Sequence, residues 1–267
     1  MQIRNYADQE IEKIKKSGEF LNQLIIYIAD KVAPWVSLLD LEKYATDFIA
    51  DLNKTNLWHD IKWAFKWFEW YPANLCLSYN DWLVHGIPSK YILKPWDLLK
   101  IDTGIKCDGY ITDSAVSVVV GWIRTNPKAA WLINATKRVL DDSILLIKKD
   151  FSLFDYGRFV YNQIKNDGYQ IIKWLTWHGL GKTVHEDPWI SNYADHRLKS
   201  IKFRPGMVFA LEPITAEYSD DFVWSKNGWD LFTIKWDLWC QWEYTLAFWY
   251  NWVEILSGIT DSSLVQK

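Results

Sequence analysis

Residues 98–120 read LLKIDTGIKCDGYITDSAVSVVV. Two apolar, β-branched runs flank Asp108-Gly109. Asp-Gly between such runs is a strong hairpin signal, because both central residues of the tightest hairpin turn need positive φ. Asp102 and Asp113 interrupt the runs, one on each arm. A carboxylate in a buried strand is costly unless it is paired or binds a metal. Two readings stay open for this pair. They are solvated carboxylates at a turn or sheet edge, or neighbours on adjacent strands that repel unless a cation lies between them.

Other stretches carry the same kind of chemistry. Upstream is Asn80-Asp81-Trp82-Leu83-Val84-His85-Gly86-Ile87-Pro88. Downstream are Thr176-Trp177-His178-Gly179-Leu180-Gly181, His185-Glu186-Asp187-Pro188, Pro205-Gly206-Met207-Val208-Phe209-Ala210-Leu211-Glu212-Pro213 and Gln241-Trp242-Glu243-Tyr244-Thr245. Asp102, Asp113, His178, Glu212 and Glu243 form a carboxylate-rich set with one imidazole. Without cysteine it does not look like structural zinc. Carboxylates that can bridge, plus one His, suit two divalent first-row ions.

In their order, these segments closely resemble the type I methionine aminopeptidases, from about residue 10 to about residue 258. The resemblance implies an α+β, pita-bread fold. In that fold two pseudo-symmetric halves, each a helix pair plus antiparallel sheet, enclose a dinuclear metal site. It implies that Asp102 and Asp113 chelate and bridge, that His178 and Glu212 hold one ion, and that Glu243 bridges. The cofactors are then two divalent ions (Mn, Fe, Co, Zn or Ni). A metal-bridging hydroxide attacks the first peptide bond, and Glu212 also shuttles a proton. His185 donates to the carbonyl oxygen, and His85 meets the substrate near the scissile nitrogen. Phe65, Phe68, Tyr71, Cys76 and Trp229 line a pocket for methionine, whose thioether suits a soft apolar site. Phe65 and Phe68 stand where Cys and Tyr are commoner, and Glu69 where His is. His59 and His196 match no motif and read as surface or structural.

Composition is compatible with this. A net charge of -3, from 30 basic and 33 acidic residues, gives no case for nucleic-acid or membrane partners. The polar start MQIRNYADQE is unlike a signal peptide. The most apolar stretch, 20–32, holds Asn22, Gln23 and Asp30 and is too short to span a bilayer. Three cysteines without CxxC suggest a reduced, cytoplasmic protein.

Periodicity predicts helices over 8–32, from a Ser37–Asp40 capping box to about 52, from Asn126-Pro127 to about 149, and over 151–165. Strands are predicted over 57–67, 74–84, 170–175, 207–214, 231–235, 239–250 and 253–256. The order is two helices then strands, twice over, without a linker. One catalytic domain over 1–267 is expected.

The expected function is removal of the initiator methionine from nascent chains by a monomeric cytoplasmic enzyme, with the ribosome as a further partner. Two alternatives stand beside it. One is an X-Pro peptidase of the same fold, a family that carries a large N-terminal domain. The other is a catalytically impaired binding protein, a class that usually loses metal ligands.

One count is out of line. There are 19 Trp and 12 Gly, where average glycine usage is about 7%. Trp35 and Trp96 follow Pro34 and Pro95, where a type II turn asks for glycine. Trp67, Trp70, Trp236 and Trp249 look similar. Trp177 precedes His178, where it would crowd the metal cleft. Such a pattern results if UGA codons meaning glycine are written as Trp. Trp229 and Trp242 read as true tryptophans.

Overall fold

The computed structural model describes residues 2–226 and 228–261. Of the expected 1–267 domain, Met1, Asn227 and residues 262–267 lie outside the described residues.

The first half opens with helices α1 (Asp8–Lys31) and α2 (Leu38–Thr55). The expected capping box starts α2. Ser37 Oγ accepts from Asp40 N at 3.1 Å, and Asp40 Oδ2 accepts from Ser37 N at 3.0 Å. Four strands follow: β1 (Ile61–Trp63), β2 (Cys76–Tyr79), β3 (Leu98–Cys107) and β4 (Tyr110–Val119). The last two are the predicted hairpin, with Asp108 at φ 50° and Gly109 at φ 85°. β4 pairs with the whole of β3, so β1 and β2 share the other edge of β3 end to end.

The second half begins with α3 (Pro127–Leu146) and α4 (Leu153–Asn166), capped by Asn126 and Ser152. Ten short strands follow. They are β5 (Gln170–Ile171), β6 (Thr176–Gly179), β7 (Glu186–Ser191), β8 (Val208–Leu211), β9 (Ile214–Ala216), β10 (Phe222–Trp224), β11 (Leu231–Thr233), β12 (Trp239–Gln241), β13 (Tyr244–Phe248) and β14 (Val253–Ser257). The main sheet runs β14-β13-β8-β6-β7 and a smaller one β12-β9-β5. The repeated helix-pair-then-sheet order is the α+β, two-halved arrangement expected.

Several predicted strands are shorter or split. Residues 57–67 and 74–84 contract to β1 and β2. The runs 207–214 and 239–250 each break in two, at Glu212-Pro213 and Trp242-Glu243. Proline has no N–H for a ladder. The register is unbroken across the gap, since Leu211 pairs with Tyr244 and Ile214 with Gln241. Glu212 therefore faces Glu243. β6, β7 and β10 were not predicted. They are short, and two of them carry His, Gly or Pro in place of an apolar run.

Helices cover one side of the sheets. α1 packs on β3, β4 and β14, and α3 on α4 and β12. Gly18 lets α1 close in, since a Cβ there would lie 1.9 Å from Leu256 O. β4 is buried along its length. Its outer edge is met by hydroxyls rather than by a ladder. Thr245 Oγ1 accepts from Asp113 N at 2.9 Å and donates to Asp113 O at 2.7 Å. Ser257 Oγ donates to Asp113 O, Ser114 Oγ to Glu243 O, and Ser117 Oγ to Gln241 O. Glu243 N donates to Ala115 O. A buried lysine adds to this join. Lys100 Nζ donates to Asn80 O at 2.9 Å and lies 4.3 Å from the centre of the Trp239 ring.

The turn tryptophans behave as expected at five places. Trp35, Trp67, Trp70, Trp96 and Trp236 all have positive φ, and Trp174 joins them. Left-handed backbone costs an L-residue with a side chain about 1–2 kcal/mol. Trp177 and Trp249 depart from the expectation, because neither is at positive φ.

Thr245→Val keeps the side-chain shape but leaves the buried Asp113 N–H without its acceptor. It should lower unfolding free energy by about 1–3 kcal/mol, read as a lower midpoint in urea denaturation. An unchanged midpoint would mean that the hydroxyl join is not structurally important.

Candidate metal centre

Strand pleating sets the first pair of ligand candidates. Gly104 pairs with Asp113 and Asp102 with Ala115. Asp102 and Asp113 are thus diagonal neighbours on one face of the hairpin. Thr112 points the other way, and its Oγ1 lies 3.2 Å from Ser17 Oγ in α1. The β4 edge then brings in Glu243, and the broken ladder sets Glu212 opposite it.

His178 comes from β6. Side-chain oxygens of Asp113 and Glu243 and a ring nitrogen of His178 lie within 4.8 Å of one another. His178 Nδ1 is 3.0 Å from Gly179 O. In the tautomer that donates there, Nε2 keeps its lone pair for an ion, and the carbonyl fixes the ring.

Electrostatics make this cluster unfavourable on its own. Burial, then the charge of Asp113, push the Asp102 carboxyl well above its ordinary range. Burial raises Asp113 to about 7. Glu212 and Glu243 are also held well up, first by burial and then by the other carboxylates. His178 is pushed down to about 3 by burial, with His185 beside it, so its imidazole is neutral. Among the described residues, Asp102 Oδ1, Asp113 Oδ1 and Glu243 Oε1 are buried without a hydrogen-bond partner. Orphaned, converging carboxylate oxygens with one neutral imidazole fit divalent cations of the Mn, Fe, Co, Zn or Ni kind.

All the residues expected to act line one cavity of about 260 Å³. Asp102, Asp113, His178, Glu212 and Glu243 lie there with His85 and His185. So do Phe65, Phe68, Tyr71, Cys76 and Trp229. The Phe68 ring meets His185 edge-on at 5.1 Å, and Tyr71 meets Trp229 at 5.2 Å. His85 has positive φ, 63°, and burial pushes its pKa down to about 4. Gly86 follows it because a Cβ there would lie 2.4 Å from Leu77 O. His185 stands 4.4 Å, ring centre to ring centre, from His178. His59 lies elsewhere, at the hairpin turn beside Asp108. His196 packs on Phe154.

Trp177 corrects the expectation of a crowded cleft. Neighbouring residues of a strand point to opposite faces. Trp177 touches the cavity wall, but it is 1% exposed and its indole N–H donates to Asn192 Oδ1. The ring has room of its own in the core.

Two residues at the site had no role in the sequence reading. Gln241 Nε2 donates to Glu212 Oε2, which holds that carboxylate in place. Its position two residues before Glu243 was the only signal. Trp189 lies 5.5 Å from the His185 ring and 6.1 Å from His178, on a strand that the sequence did not reveal.

Buried, converging carboxylates beside a largely apolar pocket define the class: a metal-dependent hydrolase with its site between two sheet-bearing halves. A model of metallopeptidase family M24 matches residues 12–247, and the chain belongs to that family. The methionine aminopeptidase of Aquifex aeolicus is 32% identical over 249 residues, covering 92% of this chain and 95% of that protein. The one from Helicobacter pylori strain J99 is 30% identical, covering 96% and 99%. A crystal structure of methionine aminopeptidase from Thermotoga maritima matches with TM-score 0.89 at 29% identity, over 97% of this chain and 100% of that one. A prolidase from Pyrococcus horikoshii shares the fold, with TM-score 0.75 at 20% identity, and this chain spans 65% of it.

Outer partners of metal ligands typically affect metal affinity about 10–100-fold. Gln241→Ala should weaken divalent-ion binding by about that factor, measured by calorimetric titration of Mn into chelator-treated protein. Unchanged affinity would show that Gln241 does not set the Glu212 position.

Proposed function

We propose that this chain is a cytoplasmic methionine aminopeptidase that removes the initiator methionine from nascent proteins, acting as a single-domain monomer. The observation that carries the reading is the shared cavity. Five ligand candidates, two further histidines and a soft apolar pocket all open into it.

Asp102, Asp113, Glu212, Glu243 and His178 would hold two divalent ions. When bound, such ions supply Lewis acidity and lower the pKa of a coordinated water. The protein residues do the rest. Phe65, Phe68, Tyr71, Cys76 and Trp229 enclose the methionine side chain. Cys76 suits this as a neutral thiol, because burial raises its pKa well above the ordinary value. A ring N–H of His185 donates to the scissile carbonyl oxygen, most strongly as charge develops there. His85 is neutral and meets the substrate at the scissile nitrogen. Glu212, steadied by Gln241, takes a proton from the water that attacks the carbonyl carbon and returns it to the amine as the C–N bond breaks.

The nascent chain is the proposed partner, met as it leaves the ribosome. No helix among the described residues is long and apolar enough to cross a membrane.

Chelator-treated protein should lose hydrolysis of Met-Ala-X peptides and regain it with Mn, Fe, Co, Zn or Ni. Full turnover in chelator would refute the metal reading. Faster cleavage of X-Pro dipeptides than of Met-Ala-X would favour a prolidase-type activity instead.

His185→Ala separates chemistry from binding. Loss of one oxyanion-type donor costs about 10²–10³ in rate, so kcat should fall by that factor with little change in KM. A change in KM alone would make His185 a ground-state binding residue.

A further inference from the structure

Two groups stand out among the 19 tryptophans of this chain. Trp177, Trp239 and Trp242 are buried, and their indole N–H groups donate to Asn192 Oδ1, Trp82 O and Ile259 O. Their backbones are ordinary. The other population stands at positive φ: Trp35 at 78°, Trp67 at 69°, Trp70 at 70°, Trp96 at 74°, Trp174 at 72° and Trp236 at 57°. All six are exposed, from 56% for Trp96 to 85% for Trp70.

Positive φ is uncommon outside glycine, and Asn, Asp and His are the side chains enriched there. Asn80, Asp108, Asp150 and His85 fit that rule, and Glu69 is one exception. Tryptophan does not fit it, yet supplies six of the eleven non-glycine positions in this region. Trp35 and Trp96 each follow a proline with φ near the +80° that a type II turn sets at its second central residue. These rings stand mostly in solvent on a backbone that glycine adopts without strain, and their ring contacts are slight: Trp236 lies 5.6 Å from Phe232, and Lys66 Nζ lies 5.9 Å from the Trp67 ring. The count agrees, with 19 Trp against 12 Gly.

We propose that in its own cell this polypeptide carries glycine at positions 35, 67, 70, 96, 174 and 236, because UGA codons there are read as glycine. UGA and the tryptophan codon UGG differ in one base, so decoding UGA as tryptophan puts an indole at each glycine. The inference stands on backbone geometry and is independent of the catalytic reading. It bears on the site all the same. Trp67 and Trp70 flank Phe68 in the turn that also supplies Tyr71, and Trp174 lines the cavity. With glycine at these three places the turn loses its bulk and the cavity wall at 174 recedes.

Exposed tryptophans with ordinary backbone, such as Trp58, carry no such signature and are outside the proposal. Trp177 is outside it too, since its strand needs no glycine.

The test is mass spectrometry of the protein purified from its source cells and cleaved after Lys and Arg. Peptides 32–43, 67–90, 91–100, 174–182 and 236–267 together contain all six positions. Each of the six should be lighter by the difference between a tryptophan and a glycine residue, while Trp239 and Trp242 keep the full indole mass. The gene should show UGA at the six positions and UGG at those two. Tryptophan at any of the six, or glycine at positions 239 and 242 as well, would overturn the proposal.

Discussion

A strand buried on both faces and along both edges needs a partner for every backbone group. β4 meets that demand on one side with β3 and on the other with the hydroxyls of Thr245 and Ser257 and the backbone of Glu243 and Gly181. Thr245 and Ser257 reach it from the second half, and its own Ser114 and Ser117 reach back. The reciprocal Asp113–Thr245 pair replaces a rung of a ladder. This join fixes the distance between the halves. It also decides what can happen next to it, because Asp113 and Glu243 are the residues whose backbones are tied.

The site follows from that constraint. Asp102 and Asp113 share one face of the hairpin, while the other face is covered by α1. The second half offers a ladder that opens at Pro213, with Glu212 and Glu243 on opposite sides. Like charges facing each other across a sheet are destabilising, and burial makes each one worse. Four carboxylates could share one cavity by binding protons, and their raised pKa values show that tendency. Divalent cations satisfy the same oxygens without giving up the charge. The neutral imidazole of His178, turned by Gly179 O, completes a donor set of the right kind. The halves therefore hold these unfavourable groups together at a place where a metal would compensate them.

Much of this was legible in the chain. Asp108-Gly109 marked the hairpin, the two aspartates marked its chemistry, and Ser37–Asp40 marked the start of α2. The order of His178, Glu212 and Glu243 along the chain placed the remaining ligand candidates. What stayed hidden had weak local patterns. β6 and β7 are short and interrupted by His, Gly and Pro, so neither alternation nor an apolar run shows. Pro213 split a run that looked continuous. Gln241 and Trp189 act through groups distant in sequence. Trp177 was misjudged because pleating, which sends its ring away from His178, cannot be read before β6 is known to be a strand. Trp35 and Trp96 were legible for the opposite reason: a proline-led turn states its φ locally, and the residue disagreed with it; Trp174 follows Lys173 and had no such signal.

The decisive question is where metal binds. Diffraction data collected near the Mn absorption edge, from crystals grown with Mn, would answer this directly. Anomalous peaks are expected within the ring of Asp102, Asp113, His178, Glu212 and Glu243, and they should be lost when Glu243 is replaced by Gln. Anomalous density elsewhere with none among these five side chains would contradict that expectation.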